Sequence, residues 1–300
     1  MPNEWDEIDD DTRGFYRRVL EILNASGVRF LVGGAFAFAH FTGIKRHTKD
    51  LDLFILRQDF ERVQRTLDGA GYRTQLTFPH WLGKVHSGDA FVDLIFSSGN
   101  GIAPVDEGWF AYGHPSEVLG VPVKLAPPEE SLWSKAFVME RERYDGADVA
   151  HLLRTCGRGL DWQRLRFRFG PNWRVLLSHL VLFGYIFPGE RDVVPPPLMD
   201  ELLGLLHRET HERPPVSRVC AGTLLSREQY LPDVQQRGYE DGRIAPLGVM
   251  SPQDVSAWTA AISARREECE GELLAESVAG EEDPGAAIEV GELQAGSEGQ

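Results

Sequence analysis

Two aspartates interrupt an apolar stretch of this chain. Asp50 and Asp52 lie one residue apart in Lys49-Asp50-Leu51-Asp52-Leu53, where the apolar residues predict a buried strand. Residues i and i+2 of a strand point to the same face, so both carboxylates should project together, about 6–7 Å apart. Partly buried carboxylates at that distance repel each other. The pattern therefore predicts a bound cation, and carboxylate oxygens suit Mg²⁺ or Mn²⁺.

A third aspartate interrupts another apolar strand. Asp93 lies within Phe91–Phe96, with two apolar residues before it and three after it. For this acid alone, an edge position or a pairing with arginine is an equally good explanation. With Asp50 and Asp52 upstream, a shared metal site is the better interpretation, because metal ions held by several acids are a common device for phosphoryl transfer.

A pair of glycines precedes the first two acids. Gly33-Gly34 follows the predicted strand Val28–Val32 and opens a short helix, Ala35–Phe41. Glycines allow backbone N–H groups to approach a ligand, and a helix N-terminus favours phosphate. The chain has no G-x-G-x-x-G and no Walker lysine here, so neither a dinucleotide-binding site nor a P-loop is predicted.

The remaining pattern predicts strands and helices in alternation, followed by helices alone. Further strands are expected at Leu51–Leu56, Tyr72–Leu76, Trp81–His86, Ala90–Phe96 and Val121–Leu125, the last at a sheet edge because Pro122 lacks a donor. Helices are expected at Pro127–Arg143, Asp145–Cys156, Asp161–Phe169, Asn172–Phe187 and Leu198–Glu209. We predict an α/β (α+β) fold with a mixed sheet over residues 1–126 and a mainly helical region over 127–266.

The charge is concentrated at the two ends of the chain. Residues 267–300 hold eleven acids and residues 1–11 hold six, neither segment with Lys or Arg, so the net charge of −15 becomes +2 without them. A phosphate-bearing substrate is therefore not excluded. Residues 267–300 are predicted to form an acidic, disordered tail. The polar N-terminus and the three scattered cysteines favour a cytoplasmic protein without a membrane partner.

Taken together, Val32-Gly33-Gly34, Asp50-Leu51-Asp52-Leu53 and the later Asp93 resemble the motifs of nucleotidyltransferases of the DNA polymerase β superfamily. The resemblance implies a largely antiparallel mixed sheet and transfer of a nucleoside monophosphate from an NTP, such as ATP, to an acceptor hydroxyl. Asp50, Asp52 and Asp93 would then hold Mg²⁺ or Mn²⁺. Asp93 would also help to deprotonate the acceptor, and Gly33-Gly34 would pack against the phosphates.

The segment after residue 124 resembles small bacterial nucleotidyltransferases, including those of abortive-infection type IV toxins. It carries Lys135, Arg141 or Arg143, and Asp145 with Asp148. The resemblance implies that Lys135 reaches a phosphate, although a solvated lysine is nearly as good an explanation. Asp145 is equally well explained as a helix N-cap. The basic loop that ends in Lys49 is a second candidate for nucleotide binding, or a solvated loop.

Two other functions remain open from the sequence. The fold could serve as an inactive nucleotide-binding or regulatory module, or the acids could be ion-paired with Arg46, Lys49 or Arg73 in a structural protein. The acceptor could be a protein, an RNA or a small molecule. A partner protein is expected if the chain is half of a toxin–antitoxin pair.

Overall fold

A computed structural model of the chain describes residues 8–46 and 48–261. The described residues up to Thr259 belong to one compact unit, whereas Ala260 and Ala261 fall in a second one and are helical. His47 and the predicted acidic tail, residues 267–300, lie outside the described residues. None of the described helices is long and apolar enough to cross a membrane.

Seven strands form one mixed sheet. They are β1 (Leu31–Val32), β2 (Asp50–Phe54), β3 (Arg73–Phe78), β4 (Leu82–Ser87), β5 (Ala90–Ile95), β6 (His114–Val118) and β7 (Val121–Leu125). Their order is β3-β4-β5-β2-β1-β7-β6. The pairs β2–β5 and β1–β7 are parallel and the other four are antiparallel. The predicted mixed, largely antiparallel sheet is confirmed.

The prediction that Val121–Leu125 lies at an edge is wrong. β7 lies between β1 and β6, and β6, which contains Pro115, is the edge strand on that side of the sheet. The only residue pair that joins β7 to β1 is Val32 with Leu125, at the far end of β7 from Pro122. The missing donor of Pro122 therefore does not weaken that pairing.

The described part of the chain contains ten α-helices before residue 252. They are α1 (Asp10–Ser26), α2 (Gly34–Thr42), α3 (Phe60–Gly69), α4 (Glu107–Ala111), α5 (Pro128–Ala136), α6 (Gly146–Cys156), α7 (Trp162–Phe169), α8 (Trp173–Ile186), α9 (Pro196–His211) and α10 (Leu231–Gln236). Residues 252–259 are also helical. A small parallel pair, β8 (Val219–Cys220) and β9 (Glu240–Asp241), lies apart from the main sheet.

The helix predicted to run to Arg143 ends at Ala136 instead. The chain beyond it turns back on itself, because Glu140 N–H donates to Arg143 O at 2.9 Å and Asp145 N–H donates to Val138 O at 3.1 Å. This turn places the side chains of residues 143–148 near the sheet.

Buried apolar residues form two clusters. The first joins α5–α9 to Leu31 and Trp109, so the predicted helical region shares a core with residues of the sheet region. The second packs α1 and α3 against one face of the sheet and contains Leu51 and Leu53, both fully buried. Burying such a side chain contributes about 1.5–3 kcal/mol. This anchorage of β2 turns its alternate residues, Asp50 and Asp52, to the other face.

Candidate active site

Three aspartates meet on one face of the sheet. Asp50 and Asp52 lie on β2, and Asp93 lies on β5 directly beside Asp52 in the parallel register. A carboxylate oxygen from each of the three lies within 4.8 Å of the others. Across the described ranges 8–46 and 48–261, no other group of three acidic, histidine or cysteine side chains is gathered in this way. The predicted common face of Asp50 and Asp52 is thus observed, and the sheet brings Asp93 to them.

The cluster is electrostatically strained when it holds no cation. Burial, and after it the neighbouring charges of Asp50 and Asp93, raise the pKa of Asp52 to about 7, against the opposing effect of Lys135 and Arg143. Burial also raises the pKa of Asp93. A carboxyl group that resists ionisation beside two others has the donor chemistry of a divalent metal site, because a bound cation removes the repulsion.

The glycine pair lets the chain pass very close to the acids. Gly33 N–H donates to Asp52 O at 2.9 Å. Gly34 has a φ of +53°, and a Cβ atom on it would lie 1.7 Å from Asp52 Oδ2. A Cβ atom on Gly33 would lie 2.1 Å from the ring of Phe54. Only glycine fits this turn, which sets the N-terminus of α2 against the acid cluster.

The loop before β2 is held by several contacts. Thr48 Oγ1 donates to Asp50 Oδ1 at 3.0 Å. The hydroxyl of the buried Tyr16 donates to Lys49 O at 3.1 Å, while the side chain of Lys49 is exposed. Arg46 forms an ion pair of 2.5 Å with Asp148. The loop is therefore fixed at both Arg46 and Lys49, and it leads directly into Asp50.

Lys135 lies in a network of charges near the cluster. Its ammonium contacts Asp145 at 3.0 Å and Asp148 at 2.8 Å. Arg143 contacts Asp145 at 3.0 Å. Asp145 occupies the N-cap position of α6, but its carboxylate makes no capping hydrogen bond. The charges of Lys135 and Arg143 partly oppose the rise in the pKa of Asp52, so this network adds positive potential to the acid cluster.

Sequence reasoning missed Lys84. Its ammonium lies 2.8 Å from Asp93 Oδ1, whereas the sequence suggested Arg46, Lys49 and Arg73 as ion-pair partners for the acids. A signal was present between the predicted strands Trp81–His86 and Ala90–Phe96: a tight turn at Gly88-Asp89 pairs Ser87 with Ala90 and, further along, Lys84 with Asp93. Counting residues back from the turn would have identified the pair.

The known proteins that resemble this chain are solved structures with a similar fold. No family model matches the chain, and no curated protein matches it. The antibiotic-resistance factor ANT(2'')-Ia is 16% identical, with a TM-score of 0.39 over 57% of this chain and 98% of its own. The lincosamide antibiotic adenylyltransferase LnuA, bound to lincomycin, is 14% identical, with a TM-score of 0.34 over 48% of this chain and 96% of its own.

A third neighbour is an antigenic nucleotidyltransferase-like protein from Paracoccidioides brasiliensis, 14% identical, with a TM-score of 0.34 over 57% of this chain and 92% of its own. The neighbours are nucleotidyltransferases or nucleotidyltransferase-like proteins. These likenesses are distant, with identities of 14–16% and TM-scores below 0.4.

Proposed function

We propose that this protein is a metal-dependent nucleotidyltransferase, which transfers a nucleoside monophosphate from an NTP to an acceptor hydroxyl and releases pyrophosphate. The observation that carries the proposal is the cluster of Asp50, Asp52 and Asp93, with ligand oxygens within 4.8 Å of one another, beside a glycine turn that opens a helix. An arrangement of this kind matches the needs of phosphoryl transfer, which depends on positioning and on neutralisation of charge.

The three aspartates would hold Mg²⁺ or Mn²⁺. The bound ion would neutralise charge on the triphosphate and on the leaving pyrophosphate. The buried faces of β2 and β5 keep the acids in place, because Leu51 and Leu53 anchor one strand in the core. Asp93 would also accept the proton of the attacking hydroxyl.

Four other residues would bind the nucleotide. The close approach of Gly33 and Gly34 to Asp52 presents the first N–H groups of α2 beside the acid cluster, where they would donate to phosphate oxygens. Lys135 would leave its carboxylate partners, Asp145 and Asp148, and contact a phosphate instead. Lys49 would contribute an exposed positive charge at the start of β2.

Apart from the proton that Asp93 would accept, the residues of this scheme act by holding the reactants in position. The chain supplies three carboxylates on neighbouring strands, backbone donors at a helix start and flanking cations, and no covalent intermediate is needed. The acceptor would be a small molecule, an RNA or a protein carrying a free hydroxyl. The cytoplasmic location and a toxin–antitoxin partner stay predictions from the sequence.

The test is a nucleotidyl-transfer assay with each α-labelled NTP, Mg²⁺ and a panel of acceptors: hydroxyl-bearing antibiotics, total tRNA and protein. Label transfer and pyrophosphate release are compared between wild type, the double variant Asp50→Ala/Asp52→Ala, and Asp200→Asn, which removes an exposed carboxylate on α9. We expect turnover in wild type and Asp200→Asn only.

Turnover that survives in the double variant would refute the mechanism. NTP binding by wild type without turnover on any acceptor would favour the inactive nucleotide-binding or regulatory module instead.

A further inference from the structure

Three charged side chains form a row across the sheet. Asp52 on β2 lies beside Asp93 on β5, and Asp93 lies beside Lys84 on β4. Residues directly paired on adjacent strands share a face. Leu53 and Leu94, the next residues along two of these strands, are fully buried on the opposite face. The acid cluster therefore ends, on the β4 side, at a lysine.

The ammonium of Lys84 is held on two sides. It lies 2.8 Å from Asp93 Oδ1 and 3.6 Å from the ring centroid of Phe91, two residues before Asp93 on the same strand. The side chains of Lys84 and Asp93 are only 24% and 13% exposed. A lysine that packs against an aromatic face and a carboxylate at once has lost most of its rotational freedom, so its charge has a fixed position.

We propose that Lys84 is a positioning residue for the transfer reaction, which acts through Asp93. This inference rests on the proposed function. The ammonium engages Oδ1 and leaves Oδ2 as the oxygen available to the metal and to the acceptor proton. It thereby sets the orientation of the carboxylate before any substrate binds, and its charge balances one acid of the metal-free cluster.

The same contact predicts that Lys84 lowers the affinity of the site for the metal. Two cations then share one carboxylate, so the lysine weakens metal binding while it orients Asp93. Removing the lysine should tighten metal binding and slow the reaction. A purely structural ion pair also predicts tighter metal binding when its charge is removed, but it predicts no fall in kcat, so the fall in kcat distinguishes the two roles.

The experiment compares the full-length protein with Lys84→Met, Lys84→Arg and the control Lys124→Met, which removes a lysine on β7 with no ion-pair partner among the described residues. Mn²⁺ affinity is measured by calorimetry, and kcat and KM for the NTP by pyrophosphate release. We expect Lys84→Met to bind Mn²⁺ roughly tenfold more tightly. Its kcat should fall on the order of tenfold or more with KM within about twofold. Lys84→Arg should restore much of kcat.

An equal kcat in Lys84→Met would overturn the proposal, whatever its Mn²⁺ affinity, as would a rise in KM alone, which would make Lys84 a nucleotide ligand. A double-mutant cycle of Lys84→Met and Asp93→Asn, measured by denaturation without metal, gives the interaction free energy of the two side chains independently of activity. An interaction free energy of zero would also reject the proposal. If wild type itself binds no Mn²⁺ while the cycle shows coupling, the proposed function fails and the Lys84–Asp93 contact stands.

Discussion

Replacing Asp52 with asparagine should stabilise the metal-free protein, and by an amount that depends on pH. The folded protein raises the pKa of this carboxyl from 3.8 to about 7, first by burial and then by the charges of Asp50 and Asp93. Below pH 4 Asp52 is protonated in both states and has no effect. Between pH 4 and 7 only the folded state keeps the proton, so the stability of wild type falls as pH rises, and above pH 7 the loss is complete.

The size of the effect follows from the shift. About three pKa units correspond to about 4 kcal/mol at most. Asparagine would not recover all of it, because its amide is itself polar and partly buried, so we expect a gain of about 1–3 kcal/mol at pH 8. The difference between Asp52→Asn and wild type should grow by about 2–3 kcal/mol from pH 5 to pH 8.

The assay is urea denaturation in the presence of a chelator at pH 5 and pH 8, for wild type, Asp52→Asn and the exposed control Asp200→Asn. The control should show little change between the two pH values. A difference between Asp52→Asn and wild type that stays constant or shrinks with rising pH would refute the reasoning. Lower stability of the variant at pH 8 would refute it as well and would favour a structural, ion-paired role. Addition of Mn²⁺ should stabilise wild type more than the variant.

Two further substitutions test the surroundings of the cluster. Gly34→Ala should lower the free energy of unfolding by on the order of 3 kcal/mol or more, because the new Cβ atom would overlap Asp52. It should also abolish the stabilisation by Mn²⁺. The control Gly43→Ala, at a φ of +70° with open space around it, should lower the free energy of unfolding by only about 1 kcal/mol. Equal losses at both positions in thermal denaturation would contradict this interpretation of the glycine turn. Lys135→Met should lose about 1–3 kcal/mol in urea denaturation, because it leaves two carboxylates, each under 10% exposed, with fewer partners. A loss below about 0.5 kcal/mol would show that Arg46 and Arg143 suffice for them.

The local features of the site could be predicted, because each depends on a few neighbouring residues. The alternation of β2 requires Asp50 and Asp52 to share a face whenever Leu51 and Leu53 are buried, and this is what the sheet shows. Most helix positions followed from apolar periodicity in the same way. The error at β7 had another source: the rule about Pro122 was sound, but which end of the strand pairs with β1 depends on the whole sheet.

The contacts between distant segments were decided by the tertiary structure. The sequence alone determined the glycine turn, the alternating acids and the types of strand and helix, since backbone geometry and side-chain periodicity act over a few residues. The parallel pairing that sets Asp93 beside Asp52, and the turn after α5 that brings Lys135 and Arg143 near them, depend on packing of two apolar clusters around one sheet. The free energy of that packing depends on residues from the whole chain, and it determines which charged side chains come into contact.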